Sequence, residues 1–225
     1  MACKYTLLSY SLSRRTPLYD KKANIDILRS KEIKKGDSCN TFIMKLPNHS
    51  GTHVDAPRHF LSSGRSICDY SLKELIFNKP FIFNCPKDLN QPIEADDLIN
   101  IKKNRDFDLL LIRTGFYHYR KNNDIYCNKN PYLSPEAAFW LRNNCPRLRA
   151  IGIDCISIAS HLHREAGRRS HKILLQRNGF NGPAALILED MCIPRRIKKL
   201  AQVIVAPFFI EGVDSAPCTI IGKYD

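Results

Sequence analysis

Eleven residues, His49-Ser-Gly-Thr-His-Val-Asp-Ala-Pro-Arg-His59, constrain this chain more than any other stretch. They hold three of its seven histidines, with Asp55 among them. Imidazole nitrogens and carboxylate oxygens are the donors that zinc, manganese and iron take. On a regular strand the odd-numbered positions would share one face, yet His49 and His53 would stand roughly 13 Å apart at about 3.3 Å per residue. Side chains that far apart cannot meet on one ion, so the stretch must bend. Gly51 can take backbone angles closed to other residues, and Pro47 and Pro57 interrupt a regular ladder on either side. The expectation is a bent segment that gathers His49, His53 and Asp55 around a metal. One isolated histidine would carry no such reading; the cluster does.

The stretch also fits the pattern His-x-Gly-Thr-His-x-Asp-x-Pro-x-His at every fixed position. In this it resembles the cyclase family of metal-dependent hydrolases, which includes bacterial kynurenine formamidases and isatin hydrolases. Thr16-Pro17-Leu18-Tyr19, Leu111-Ile112-Arg113-Thr114-Gly115 and the closing segment from Pro207 to Ile221 fit the same family. Two departures stand out. Family members usually carry Asp-Leu-Ser near the N-terminus, where this chain has Leu7-Leu8-Ser9 and so lacks the acid. The gap from His171 to Glu189 is 18 residues, longer than in kynurenine formamidases, with the extra residues around Asn178 to Pro183.

The resemblance implies one α/β domain over residues 1–225, with a compact barrel-like β core flanked by helices. It implies His171 and Glu189 as a second set of metal ligands beside His49, His53 and Asp55. One or two divalent ions are expected, zinc first and manganese second. His59 is expected beside the metal as a proton shuttle; a fourth ligand or a structural hydrogen bond is the alternative. The implied activity is hydrolysis of an amide-type C–N bond by a metal-activated water. An N-aryl formamide such as N-formylkynurenine and a related cyclic amide both fit. Alternatives are a lactone hydrolase, a cyclase acting on a different anionic small molecule, and a non-catalytic metal- or RNA-binding protein. The family also implies a homodimer or higher homo-oligomer.

Phe60, next to His59, is a candidate substrate contact. So are Arg164 and Arg168, in the run His163-Arg-Glu-Ala-Gly-Arg-Arg169 just before His171. Guanidinium groups suit bidentate recognition of an anionic substrate group. Gly167 within the run suggests a segment that bends as a lid would; a solvated helix face is the alternative.

Apolar strands alternating with helices give the α/β class from the residues themselves. Strands are expected at 4–12, 41–46, 80–83, 108–114, 149–153, 184–188, 201–206 and 218–221. A helix is expected at 71–77, where Ser71 precedes Glu74 by three, another at 93–101, and a third from Ser134-Pro135 to Leu141. Residues 121–133 read as loop. The net charge of +13 is spread along the chain outside Arg164–Arg169 and Arg195–Lys199. No basic motif interleaved with aromatics appears, so no specific nucleic-acid partner is expected. Nine scattered cysteines without a CxxC suit reduced thiols. With no signal peptide and no apolar run of spanning length, the expectation is a soluble cytoplasmic protein without membrane contact, acting on a small molecule. There is no Gly-x-Ser-x-Gly nucleophile elbow.

Overall fold

The computed structural model describes residues 4–20, 22–103 and 106–224. The strands are β1 (Lys4–Leu7), β2 (Asp26–Lys31), β3 (Thr41–Lys45), β4 (His53–Asp55), β5 (Ile76–Phe77), β6 (Pro80–Asn84), β7 (Pro92–Ile93), β8 (Leu109–Arg113), β9 (Tyr132–Leu133), β10 (Ala150–Ile153), β11 (Leu186–Glu189), β12 (Gln202–Pro207) and β13 (Ser215–Tyr224). The α-helices are α1 (Asn123–Asn128), α2 (Pro135–Asn144) and α3 (Arg164–Leu175). One mixed sheet runs β5-β12-β13-β4-β11-β10-β8-β6, with β1 also on β13, and curls into a nearly closed, barrel-like core. β6, β8, β10 and β11 are parallel, whereas β4 lies antiparallel between β11 and β13. The expected α/β class with a barrel-like centre is what the chain adopts, with fewer α-helices around it than strands.

The parallel strands are continuous apolar runs because both their faces are covered. Leu110 and Ile112 of β8 pack with Leu141 of α2 and Leu174 of α3. Leu109 and Leu111 point the other way, into the curl, where they meet Val54, Val205 and Ala216. The start of α2 follows its sequence signature. Ser134 Oγ accepts the Ala137 N–H at 3.1 Å, and Pro135 takes the first helical position, where no N–H is needed.

Other elements differ from expectation. Residues 71–77 are a single 3-10 turn, Leu72–Leu75, closed by the Ser71/Glu74 capping box and followed by edge strand β5. The cap signal was right, but Ile76 and Phe77 are needed as partners for Ile204 and Val203. Residues 93–101 run from the end of β7 into a 3-10 helix, Asp96–Lys103. The Asn-rich stretch 121–133 contains α1, capped by the Asn122 side chain on the Ile125 N–H. Gly167 is not a hinge. It is buried inside α3, where a Cβ would come within 3.0 Å of the Ala159 Cα, so the glycine permits close packing. No disulfide joins the described cysteines. No described helix is long and apolar enough to cross a membrane.

Gly152 shows how tightly the sheet centre is filled. It sits on β10 between Leu111 of β8 and Leu188 of β11, and a Cβ there would press into Met191 Sδ and Leu111 Cδ2. Gly152→Ala should therefore destabilise the fold by about 1–3 kcal/mol, the usual cost of overpacking. Urea unfolding checks this, and an unchanged midpoint would contradict it.

Candidate metal centre

The bend that the motif requires is present. Gly51 takes a left-handed φ of +60°, and Ser50 Oγ donates to the Pro47 carbonyl at 2.6 Å. The His49 and His53 rings come to 5.2 Å, centroid to centroid. Strand β4 then begins, and His53 and Asp55 share a face two residues apart. Directly opposite residues of antiparallel strands lie on one side of a sheet. Glu189 of β11 faces His53, and Ser215 of β13 faces Asp55, so Glu189 joins the same side at the C-terminal end of its strand. Pro57–His59 forms a 3-10 turn that returns His59 to within 4.3 Å of the His49 ring. Helix α3 supplies His171 from its third turn.

The donor atoms converge. His53 Nε2 lies 3.4 Å from Glu189 Oε2 and 3.5 Å from Asp55 Oδ1. His171 Nε2 lies 3.5 Å from Glu189 Oε1 and 3.9 Å from Asp55 Oδ2. Asp55 is therefore shared. Among the described residues, two three-residue groups have ligand atoms within 4.8 Å of one another: His53, Asp55 and Glu189, and His49, Asp55 and His59. His171 is outside both trios, although it touches the first. His59, expected outside the inner set, belongs to the second.

The protonation pattern suits a cation. His53 Nδ1 is 2.8 Å from the Gly51 carbonyl, and His171 Nδ1 is 2.8 Å from the Gly167 carbonyl. A carbonyl only accepts, so each Nδ1 carries the proton and each Nε2 faces the carboxylates, the backbone-fixed orientation of a ligating imidazole. His53 Nε2 and both Asp55 oxygens are buried without a hydrogen-bond partner. The 3.0 Å approach of His49 Nδ1 to Asp55 Oδ1 lacks hydrogen-bond alignment and does not satisfy that oxygen. Buried polar atoms seldom go unpaired. Three orphans at one point, offering nitrogen and oxygen, fit a divalent ion.

Charge balance agrees. Burial works against a charged His49, yet Asp55 and Asp214 outweigh it and raise its pKa to about 10. Burial likewise opposes charge on His53 and His171, whose pKa values the carboxylates nonetheless raise. Glu189 is pulled down to about 2 by His171 and His53 against its burial. Ser157 Oγ and the Ile158 N–H also donate to its Oε1, at 2.8 and 2.7 Å. Asp55, fully buried, is held well below the usual carboxylate range by its histidines.

Asp214 and Tyr19, which lie in segments that fit the family but were not singled out as site residues from the sequence, also stand at the site. Asp214 Oδ2 lies 2.7 Å from His59 Nδ1 and 3.2 Å from His49 Nε2, and its Oδ1 accepts from Asn48 Nδ2 at 2.8 Å. The hydrogen bond from His49 chiefly holds Asp214 low, aided by that from His59 against partial burial. Tyr19 stacks on His161 at 4.0 Å, and His161 Nε2 is 3.0 Å from the Tyr19 carbonyl.

A cavity of about 830 Å³ opens over these groups, lined by Tyr19, Phe60, Arg164 and Arg168 among others. The Phe60 ring sits 4.6 Å from that of His59 and 4.9 Å from that of His171. A larger groove of about 1140 Å³ runs between the 61–74 and 175–184 segments, away from the cluster. Its Arg65 and Arg149 are engaged, by Glu74 and by Asp108 with the Glu74 and Ile76 carbonyls. Residues Asn178–Pro183 line that groove and not the cavity. Leu7, at the missing acid, is 58% exposed on β1 and lines neither.

The profile of the family described as "Putative cyclase" matches residues 6–160. The chain belongs to the cyclase family. Its cyclase-family relatives include a kynurenine formamidase of Bacillus cytotoxicus, 26% identical over 190 residues, covering 82% of this chain and 80% of that protein. An uncharacterised Haemophilus influenzae protein is 34% identical over 131 residues, 56% of this chain and 91% of its own. Among solved structures, isatin hydrolase A of Ralstonia solanacearum superposes with a TM-score of 0.80 at 16% identity, covering 99% of this chain and 92% of that one. A structure described as a potential metal-dependent hydrolase with cyclase activity gives 0.76 at 20% identity, over 99% and 98%. This member of the cyclase family is a hydrolase.

Proposed function

We propose that the chain is a divalent-metal-dependent hydrolase of an amide-type C–N bond in a small aryl substrate, an N-aryl formamide or a related cyclic amide. The observation that carries this is the convergence of three orphaned buried atoms, His53 Nε2 and both Asp55 oxygens, on one point of an open cavity. His53, Asp55 and Glu189 would hold the ion, with His49 and His171 at its edge; zinc suits the mixed imidazole and carboxylate set best, and manganese next. A divalent ion held there would supply Lewis-acid chemistry, polarising a carbonyl and lowering the pKa of water.

The remaining work falls to the chain's own side chains. His59 donates its Nδ1 proton to Asp214, which fixes the tautomer and leaves Nε2 to exchange a proton with the leaving nitrogen. The kynurenine formamidase relatives motivate the C–N bond. Tyr19 and Phe60 offer flat walls that favour an aryl group. Arg164 and Arg168 stand at the same cavity for an anionic substituent, Arg168 with only a loose 3.7 Å approach from exposed Glu165.

Metal-loaded protein assayed against N-formylkynurenine, cyclic amides and lactones tests the reading. Chelator-sensitive turnover of a formamide or cyclic amide supports it; turnover of lactones alone, or of none, overturns the bond assignment. His59→Ala should keep its metal and lose on the order of 10²-fold in kcat, the worth of a positioned acid–base group. Loss of metal instead would make His59 a ligand. Arg168→Ala should raise KM for a carboxylate-bearing substrate at least about tenfold more than for its neutral analogue, a difference of about 1.4 kcal/mol. Equal effects on both would return Arg168 to the solvated surface.

A further inference from the structure

Asp190 follows Glu189, beside the centre, and is tightly held. It is completely buried, and its φ of +48° lies in the left-handed region that a residue with a Cβ enters at a cost. Such a conformation persists where its surroundings over-determine it, and here they do. Arg120 grips the carboxylate with two parallel hydrogen bonds, Nε to Oδ1 at 2.8 Å and Nη2 to Oδ2 at 2.7 Å. The Tyr126 hydroxyl donates to Oδ1 at 2.7 Å. The Arg120 guanidinium carbon itself sits over the Tyr10 ring, 3.8 Å from its centroid.

The backbone of Asp190 ties together the segments that carry the ligand-type atoms. Its carbonyl accepts Thr52 Oγ1 at 2.6 Å, and Thr52 directly precedes His53. Its N–H donates to the Cys155 carbonyl at 2.9 Å, at the start of the loop whose Ser157 and Ile158 hold Glu189 Oε1. A shift of the Asp190 turn would therefore move Glu189, the start of β4 and the Glu189 cradle together. Asp190, Arg120 and Tyr126 do not line the cavity, so they do not reach a substrate from here.

We infer that Asp190, clamped by Arg120 and Tyr126, is a positioning residue that sets the Glu189 carboxylate against the His53 imidazole. The inference rests on the metal-binding reading proposed above. A buried ion pair with only a bulk stabilising role would make a different prediction: losing it would cost stability everywhere and leave the geometry of the centre alone.

Zinc titration of the metal-free full chain against a competing chelator separates the two, read beside the thermal midpoint of the metal-free form. Arg120→Ala should weaken zinc binding by about 10–100-fold, the usual cost of losing an outer-shell partner. Tyr126→Phe, which keeps the ring in its place, should weaken it several-fold. Ser134→Ala, which removes the cap of α2, should lower the midpoint and leave zinc affinity at the wild-type value. The visible spectrum of the cobalt-loaded chain should change in Arg120→Ala and stay fixed in Ser134→Ala. If Arg120→Ala does not fold, Tyr126→Phe decides alone. Wild-type zinc affinity in Arg120→Ala or, failing that variant, in Tyr126→Phe overturns the inference while sparing the metal reading. A wild-type chain that takes neither zinc nor manganese overturns both.

Discussion

Two buried carboxylates, Asp55 and Glu189, face the same few imidazoles at one point of this molecule, and most of its architecture serves to hold them there. A desolvated carboxylate without compensation costs several kcal/mol. Glu189 is partly satisfied by Ser157 and Ile158, whereas among the described residues neither Asp55 oxygen has an aligned hydrogen-bond donor, despite the 3.0 Å approach of His49 Nδ1. The raised pKa values of His49, His53 and His171 express the same imbalance: the site draws in positive charge, as protons or as a cation. A cation would meet that demand without disturbing the Nδ1–H bonds that aim His53 and His171 inward.

The sheet makes the convergence possible. A short antiparallel strand, β4, is inserted between the parallel set and β13, which brings His53 opposite Glu189 and Asp55 opposite Ser215. Side chains of ligand type thus arrive from two strands, a preceding turn, a following 3-10 turn and a helix packed on the outer face. In open α/β sheets, sites form beyond the carboxyl ends of the parallel strands. Glu189 ends β11, and the Cys155–Ile158 loop follows the end of β10. The curl of the sheet buries Val54 between His53 and Asp55 on the inner side, so the polar residues of β4 have one face on which to meet.

How much of this was legible depended on whether the controlling interaction is local. The bend at Gly51 could be read because a straight strand would hold the His49 and His53 side chains too far apart to meet. The strands Leu109–Arg113, Ala150–Ile153 and Leu186–Glu189 could be read because burial on both faces leaves continuous apolar runs. Helix α2 announced itself through Ser134 and Pro135. By contrast, Ile76 and Phe77 became an edge strand through pairing with residues more than a hundred positions away, which no cap signal at Ser71 reveals. Gly167 looked like a hinge because its reason for being glycine, contact with Ala159, lies on another segment. Asp214 was invisible for the same reason: it meets His59 across 155 residues, and the sequence does not rank it above its neighbour Glu211.

Asp55 is the residue common to both possible cation trios. Metal content of the wild type and of Asp55→Ala, each reconstituted with zinc, dialysed and measured by elemental analysis, therefore tests the central claim most directly. The account predicts one or two equivalents per wild-type chain, since such sites fill readily, and near-background zinc in a folded Asp55→Ala. Less than about a tenth of an equivalent in the wild type, or equal zinc in both proteins, would contradict it.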